Sequence, residues 1–347
     1  MSPISHARFQ AALADRYVMD RVLGRGGAGT VYLARDVKHG RPVAIKVLNP
    51  ETIEGLESKS FLREIRLTAR LQHPHILPLL DSGEAAGCPY YVMPYVKGGS
   101  LRERLEQKKR LPLDEVMAIT SDISDALQYA HENRVVHCDI KPENILLSNG
   151  HAVIADFGVS RAVFPDRSGW RAAIDTSVGT PEYVSPEQAS GDDEIGGHTD
   201  QFSLACLIHE MLAGDPPFKG DTEMATVAGR FTRPAPDLRA IRRNVPSGMA
   251  AAVRKALSVD PRRRHNSVGR FYRAIEKAAS TRRRSVREVA GLGWLRTMVR
   301  MRRTARRFSY RQGRLTAERL IAKSRESIET ATLGAKTSTG AGLREVG

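Results

Sequence analysis

The amino-acid sequence predicts an α+β fold in two lobes. Apolar and polar residues alternate over residues 17–48 around a cluster of glycines, which is the pattern of half-buried strands joined by tight turns. After Gly98 and Gly99 the apolar residues follow the spacing of amphipathic helices instead. A strand-rich first part followed by a helix-rich second part is typical of this fold class.

In the first part we expect several strands around one helix. Residues 58–72 place Phe61, Ile65 and Leu71 at near-helical spacing. Pro74 ends this helix, because a proline ring cannot continue it. Apart from the glycine-rich segment, the strands are expected at Tyr17–Leu23, Pro42–Leu48, 76–81 and 89–95.

In the second part, helices dominate. Ser100 followed by Glu103 is the pattern of a capping box that opens a short helix. Asp114 is expected to cap a longer helix that continues to Asn133. The dipeptide Asn149-Gly150 predicts a hairpin turn between two short strands. An irregular segment over 156–187 and helices near 199–214 and 247–258 complete the expected elements.

The composition indicates a folded body with a basic tail. The 347 residues include 54 Lys and Arg against 39 Asp and Glu, a formal net charge of +15, and 41% are hydrophobic. This apolar content is enough to bury a core, which excludes a wholly disordered chain. Residues 280–347 hold 17 of the basic residues and 5 of the acidic ones, so the rest of the chain is nearly neutral. The two parts therefore need separate explanations.

The expected location is the cytoplasm. The sequence has no run of 18 or more apolar residues, and its opening, MSPISHARFQ, lacks the apolar segment of a secretion signal. The cysteines are odd in number and form no CxxC pair, which excludes a disulfide framework and a cysteine zinc site. They are Cys88, Cys138 and Cys206.

The glycine-rich segment Gly24–Val31 has the pattern GxGxxGxV. Glycines at this spacing let the backbone approach phosphate groups, which a Cβ would prevent. A dinucleotide-binding fold needs a helix after the third glycine, whereas Val31–Ala34 has the character of a strand. For this motif taken alone, a plain hairpin turn stays open as the alternative.

A lysine lies on the predicted buried strand that contains Val43-Ala44-Ile45-Lys46. Burying a lysine is unfavourable unless it is paired. Glu64, on the following helix, is the natural partner of Lys46. The pair either holds the lysine against nucleotide phosphates or is a structural salt bridge, and the sequence alone leaves both interpretations open.

The strongest signal is the segment His137–Asn144 followed by Asp156-Phe157-Gly158. Asp139 and Asn144 are five positions apart, and Asp156 follows twelve positions later across a strand, a turn and a strand. This spacing can bring two carboxylates and an amide together at one edge. Oxygen ligands of this kind suit Mg²⁺.

With these motifs in this order, the sequence resembles the eukaryotic-type (Hanks-type) serine/threonine protein kinases over about residues 17–278. The segment GTPEYVSPEQ is most similar to bacterial members. The resemblance implies a bilobal protein-kinase fold, with an antiparallel sheet and one main helix in the N-lobe, a mostly helical C-lobe, and ATP in the cleft. The implied domains are an N-terminal extension at 1–16, an N-lobe at 17–96, a C-lobe at 97–278 and a basic, partly disordered tail at 279–347.

The resemblance also implies roles for the charged residues. Lys46 would contact the α- and β-phosphates, with Glu64 as its anchor. Asp139 would act as catalytic base or orient the substrate hydroxyl, and Lys141 would steady the transferred phosphate. Outside the chemistry, Glu187 and Arg264 resemble a structural ion pair, and Asp200 resembles the residue that ties the catalytic loop to the next helix.

ATP and Mg²⁺ are the implied ligands, with Mn²⁺ as an alternative ion. Asn144 and Asp156 would hold the metal. Met93 would close the back of the adenine pocket, and the Pro94 carbonyl and Val96 N–H would contact the base. The residues implied to bind ATP are Leu23, Gly24, Arg25, Gly26, Gly27, Ala28, Gly29, Thr30, Val31, Ala44, Lys46, Met93, Pro94, Tyr95 and Val96.

The function that we expect is transfer of the γ-phosphoryl group of ATP to Ser and Thr hydroxyls of proteins, the chain itself included. A catalytically weak pseudokinase scaffold is one alternative. A kinase tethered by the arginine-rich tail at 280–347 is another, with an anionic membrane surface or nucleic acid as the partner. A solvated extension that folds back on the domain also stays open for this tail.

Cys138 stands where many members of the family have an arginine that binds an activation-loop phosphate. Cysteine supplies neither a positive charge nor a fork of donors. Catalysis is therefore expected not to depend strictly on that phosphate, although Arg161, Arg167 and Arg171 stay open as alternative receivers.

We predict that the double variant Thr176→Ala, Ser177→Ala keeps most of the phosphotransfer activity. In the wild type, phosphates on Thr176 and Ser177 would find no arginine at position 138 to bind, so losing them should matter little. The measurement is the initial rate of phosphate transfer to a Ser/Thr peptide, with circular dichroism as the control for folding. A folded double variant without activity would contradict this hypothesis.

Overall fold

The computed structural model describes residues 6–27, 29–49, 65, 68–157, 181–192 and 194–280. The helix predicted at 58–72 lies mostly outside these residues. Ile65 and Thr68 are helical, and the Ala69 N–H donates to the Ile65 carbonyl at 2.9 Å. Part of one turn of the expected helix is thus described.

The small lobe is built on a five-stranded antiparallel sheet, as predicted. The strands are β1 Tyr17–Gly26, β2 Gly29–Asp36, β3 Pro42–Leu48, β4 Asp81–Ala85 and β5 Cys88–Pro94. Their spatial order is β1-β2-β3-β5-β4, so the central strand β3 pairs with β2 on one side and with β5 on the other. Buried side chains such as Val43, Ile45 and Val92 form the core of this lobe.

The strand predicted at 76–81 is displaced, since β4 begins only at Asp81. Pro78 has no N–H to donate to a sheet. Ile76 forms an isolated bridge with Ile154, and the Leu77 N–H donates to the Ile154 carbonyl at 2.8 Å. This segment therefore pairs with the large lobe before the chain enters the small-lobe sheet.

The sequence analysis did not predict the first helix, α1, at His6–Leu13. Its Phe9 and Leu13 are buried in the same core cluster as Tyr17. The Phe9 and Tyr90 rings meet edge to face, with their centroids 5.8 Å apart. Residues expected to be only an extension thus pack into the core of the small lobe.

The large lobe is mostly helical, and its hairpin of β6 and β7 spans the predicted turn at Asn149-Gly150. The helix at Gly197–Ala213 (α5) is buried at every position from Thr199 to Ala213, which places it at the centre of the lobe. None of the helices in the described ranges is long and apolar enough to cross a membrane. The elements are α2 Leu101–Gln107, α3 Leu113–Glu132, β6 Ile145–Ser148, β7 His151–Ile154, α4 Pro186–Ser190, α5 Gly197–Ala213, α6 Glu223–Thr232, α7 Leu238–Ile241, α8 Ser247–Ala256 and α9 at 268–280, with 3₁₀ turns at Pro142–Asn144, Pro181–Tyr183 and Pro261–Arg263.

Two predicted helix starts have different outcomes. The capping box of Ser100 and Glu103 is confirmed at the start of α2. The long helix begins at Leu113, because the Pro112 carbonyl already accepts the Val116 N–H. Asp114 therefore lies in the first turn, where its charge favours the positive end of the helix dipole, and is not the cap.

A buried ion pair connects the start of α4 with the segment before α9. Nη1 and Nη2 of Arg264 each donate to Glu187 at 2.7 Å, and the arginine side chain is fully buried. Burial alone would raise the pKa of Glu187, but the hydrogen bonds and charge of Arg264 outweigh burial and lower it. The two residues that the sequence analysis paired as scaffold are thus in contact.

Candidate active site

The loop between α3 and β6 is held in place by a buried histidine. The Ala155 carbonyl lies 2.9 Å from His137 Nε2 and can only accept, so Nε2 carries the proton. His137 Nδ1 is then free to accept the Asp139 N–H at 3.1 Å. This histidine therefore fixes the backbone of Asp139 relative to the end of β7.

Asp200 supports the same loop from α5. Its two carboxylate oxygens accept the backbone N–H groups of His137 and Cys138 at 2.9 and 2.8 Å, and His131 Nε2 lies 2.7 Å from it. Burial alone would raise the pKa of Asp200, but these partners outweigh burial and lower it. The contacts hold the Cys138 backbone at a φ of 65°, a conformation that residues other than glycine rarely adopt.

Asp139, Lys141 and Asn144 form one polar cluster on this loop. Lys141 Nζ lies 2.8 Å from Asp139 Oδ2. Asn144 Nδ2 donates to the same oxygen at 3.0 Å and to the Asp139 carbonyl at 2.8 Å, so Asn144 Oδ1 is the atom left to bind a cation. Burial would lower the pKa of Lys141, but the charge of Asp139 outweighs burial and raises it.

The ion pair of Lys46 and Asp156 joins the two lobes. Lys46 lies on β3, Asp156 follows β7, and the Nζ–Oδ2 distance is 2.5 Å. Their side chains are only 12% and 13% exposed, so the pair is largely shielded from water. Burial alone would raise the pKa of Asp156, but the charge of Lys46 outweighs burial and lowers it. Glu64, the anchor predicted for Lys46, lies outside the described residues.

Tyr91 on β5 is a site residue that the sequence analysis missed. Its hydroxyl donates to Asp156 Oδ1 at 2.6 Å. Burial, and then the charge of Asp156, raise the pKa of Tyr91 well above its ordinary value, so the hydroxyl keeps its proton. Strand β5 is buried at nearly every position and so shows no alternation that would reveal a polar role.

An apolar cluster lies beside these charges. Four residues predicted to bind ATP, Leu23, Val31, Ala44 and Met93, pack in one cluster together with Tyr91. Ala44 and Met93 face each other in the β3–β5 register. The predicted hinge residues Pro94, Tyr95 and Val96 follow and are half-buried.

The glycine-rich segment is the β1–β2 hairpin, in which Gly26 pairs with Gly29 and Arg25 with Thr30. A Cβ on Gly24 or Gly26 would meet no atom within 4 Å, so open space lies next to both. Strand β2 begins at Gly29, and this excludes the helix that a dinucleotide-binding fold needs. The Gly27 carbonyl accepts a hydrogen bond from Asn49 at 2.9 Å, whereas Ala28 lies outside the described residues.

The donor set fits a nucleotide with a divalent cation. Two carboxylates and one amide oxygen, from Asp139, Asp156 and Asn144, are the hard oxygen ligands that Mg²⁺ prefers. Lys46 and Lys141 carry the positive charge that phosphates require. The open space next to the hairpin glycines leaves room for the phosphates to approach the backbone.

A second contact network that the sequence analysis missed surrounds Arg102 on α2. Its guanidinium donates to Glu143 at 2.7 Å, to Glu210 at 2.8 Å and to the Tyr183 hydroxyl at 2.8 Å. Glu143 lies between Lys141 and Asn144 on the catalytic loop, residues 137–144, and Glu210 lies on α5. Arg102 therefore ties this loop to α5. The sequence gives no sign of it, since the partners lie 41 to 108 positions away.

Comparison with known proteins gives consistent matches. Residues 17–277 match the family model described as protein kinase domain. The serine/threonine-protein kinase PknB of Mycobacterium leprae is 38% identical over 262 residues, which are 74% of this chain and 42% of that protein. The probable serine/threonine-protein kinase SCO3848 of Streptomyces coelicolor is 37% identical over 271 residues, which are 76% of this chain and 40% of that protein.

A solved structure supports the fold. The crystal structure of Rad53 1–466 in complex with AMP-PNP superimposes with a TM-score of 0.63 and 24% sequence identity. The match covers 75% of this chain and 65% of that one. The bilobal kinase fold predicted from the sequence is thereby confirmed.

We predict that alanine is tolerated at one hairpin glycine, Gly24, and not at another, Gly29. A Cβ on Gly29 would collide with the Val47 carbonyl oxygen of β3, so Gly29→Ala should destabilise the protein by about 1–3 kcal/mol. Gly24→Ala is the matched control, because a Cβ there meets open space. Thermal unfolding measures both, and equal midpoints would contradict the prediction.

We also predict that Tyr91 and Asp156 are energetically coupled, since a hydrogen bond to a charged group contributes about 1.5–3 kcal/mol. A double-mutant cycle with Tyr91→Phe and Asp156→Asn, followed by urea unfolding, measures this coupling. The pKa of Asp156 is lower in the folded protein than the value of 3.8 in the unfolded chain. Its contribution to the free energy of unfolding is therefore present above pH 3.8 and is lost as the pH falls through the folded pKa. A coupling near zero at neutral pH would refute the assignment.

Proposed function

The chain belongs to the protein kinase family, and on this premise we propose that it transfers the γ-phosphoryl group of ATP to Ser and Thr hydroxyls of proteins, itself included. The chain spans only 42% and 40% of the two bacterial kinases described above. The observation that carries the proposal is the contact of Lys46 with Asp156 across the lobes, beside the cluster of Asp139, Lys141 and Asn144.

In the proposed reaction Asp139 holds the attacking hydroxyl. Its Oδ2 is fixed by Lys141 and Asn144, so Oδ1 is the oxygen that would accept the hydroxyl hydrogen bond and its proton. Lys141 would place its positive charge beside the phosphoryl group in transfer. This arrangement speeds the reaction by positioning the hydroxyl and neutralising charge, without a covalent intermediate.

Lys46 would neutralise the α- and β-phosphates while it stays anchored to the small-lobe sheet. We propose Mg²⁺ as the ion, with Mn²⁺ as the alternative, held by Asp156 and by Asn144 Oδ1. A divalent ion bound there supplies charge neutralisation at the phosphate oxygens. Tyr91 would keep the Asp156 carboxylate oriented toward that ion through its hydrogen bond.

The rival interpretation, a pseudokinase scaffold, has no support in the chain. Such a scaffold is expected to have lost one of the residues that carry the chemistry, and Lys46, Glu64, Asp139, Asn144 and Asp156 are all present in the sequence. The family and its relatives point to the same conclusion.

The partner of the basic tail stays a prediction. Residues 281–347 lie outside the described part of the chain, so contact with an anionic membrane surface or with nucleic acid rests on charge alone. A cytoplasmic location belongs to the same proposal.

The test is the transfer of labelled γ-phosphate from ATP to a Ser/Thr peptide library and to the chain itself. We predict that Asp139→Asn lowers the turnover by about 10²–10⁴-fold, because the amide cannot accept the proton. Asp215→Asn is the matched control, since the Asp215 side chain is 51% exposed and its ion pairs in the described part of the chain are with the surface lysines Lys109 and Lys219.

Thermal unfolding of both variants would show that the fold is kept. A folded Asp139→Asn variant with wild-type turnover would overturn the proposed role. A wild-type chain that transfers no phosphate to any Ser or Thr acceptor would overturn the proposed function.

A further inference from the structure

Three side chains on three separate segments converge where the segment before β4 meets α3 and β7. His75 precedes β4, Asp122 lies on α3 and His151 begins β7. One possible ligand atom from each lies within 4.8 Å of the other two. The site proposed for phosphoryl transfer uses none of them.

The hydrogen bonds of His75 determine which ring nitrogen faces the cluster. Its Nδ1 lies 2.9 Å from the Ala152 carbonyl, which can only accept, so Nδ1 carries the proton. In the neutral ring Nε2 therefore has a lone pair, and it faces Asp122 Oδ1 at 3.5 Å. Two acceptors in this position repel each other unless a cation lies between them or the ring takes a second proton.

The spacing of the donor atoms suits a shared metal ion. His75 Nε2 lies 3.5 Å from Asp122 Oδ1, and His151 Nδ1 lies 3.3 Å from Asp122 Oδ2. Tetrahedral Zn²⁺ with ligands at about 2.0–2.1 Å places neighbouring donor atoms about 3.3–3.4 Å apart. The two separations between histidine and carboxylate are therefore close to those that such an ion would require, and the two histidine nitrogens lie within 4.8 Å of each other.

Supporting contacts orient the ligands in the way that is common at metal sites. The His75 N–H bond to a backbone carbonyl fixes its ring, and the Ala152 N–H donates to Asp122 Oδ2 at 2.9 Å. His151 is 66% exposed, whereas His75 and Asp122 are 17% and 14% exposed. An ion could therefore enter from the solvent side, and water could fill the fourth position.

The neighbouring histidine does not compete for this position. His73 Nδ1 accepts the His75 backbone N–H at 3.2 Å, so its Nε2 is protonated and faces Asp125 at 3.2 Å. Its ring stacks on Tyr129, with the centroids 5.1 Å apart. These contacts turn His73 away from the cluster.

We propose that His75, Asp122 and His151 bind one divalent transition-metal ion of the Zn²⁺ type. The ion would pin the segment before β4 to α3 and β7 of the large lobe. The same junction already has two backbone hydrogen bonds, from Leu77 to the Ile154 carbonyl and from Ile154 to the His75 carbonyl. Metal binding would therefore stiffen the chain two residues before Asp156.

The test is a calorimetric titration of the full-length chain with Zn²⁺, together with the visible absorption of bound Co²⁺. With excess Mg²⁺ present to occupy the cation site proposed at Asn144 and Asp156, we expect one Zn²⁺ per chain and a Co²⁺ spectrum of tetrahedral type. His151→Ala and Asp122→Asn should each lower the affinity by about tenfold or more. The tail beyond residue 280 contains neither histidine nor cysteine, and all three cysteines are buried, so few competing ligands are present.

His39→Ala is the matched control, because it removes another exposed histidine, 2.8 Å from Asp36, on a different part of the surface. It should leave the Zn²⁺ affinity unchanged. Zn²⁺ should also raise the thermal unfolding midpoint of the wild type and of His39→Ala, but not that of His151→Ala.

A wild-type chain that binds no Zn²⁺, or cluster variants that bind it as tightly as the wild type, would overturn the site. None of these readouts depends on phosphate transfer, so the site and the proposed kinase activity can fail separately.

Discussion

The ion pair between Lys46 and Asp156 joins residues that lie 110 positions apart, and the arrangement of the cleft depends on it. Each partner is fixed by its own lobe: Lys46 by its place in the central strand of the sheet, and Asp156 by the hairpin that precedes it. Because both side chains are largely buried, either one alone would leave an uncompensated charge in the interior. The pair therefore holds strand β3 of the small lobe against the end of the hairpin of β6 and β7 in the large lobe.

In the large lobe, too, buried charges are paired with partners of opposite charge or with hydrogen-bond donors. Asp200, Glu187 and Glu210 are buried carboxylates, and each has partners that offset the loss of water. Their partners come from the catalytic loop, from the segment before α9 and from α2. Asp200 holds the loop directly and Glu210 holds it through Arg102 and Glu143, and this is the rigid support that positioning a hydroxyl requires.

Much of the site could be predicted from the sequence, because its polar residues lie close together in the chain. Asp139, Asn144 and Asp156 span a single loop and hairpin, so their spacing alone indicated convergence. Tyr91, Arg102 and the His75 cluster could not be found in this way, since their partners lie tens of residues away and local patterns do not reveal them. The sheet followed from alternation, but the strand expected at 76–81 was misplaced, because Ile76 and Leu77 pair with Ile154 of the large lobe before β4 begins at Asp81.

The first helix shows that the unit that folds is larger than the stretch that matches the protein kinase family model, which begins at residue 17. Phe9 and Leu13 fill one side of the core that also holds Tyr17 and Tyr90. A truncated protein that starts at residue 17 would leave the faces of Tyr17 and Tyr90 exposed to water, as an apolar patch that favours aggregation. Anyone who trims this chain to its recognisable domain would thus remove part of what keeps that domain soluble.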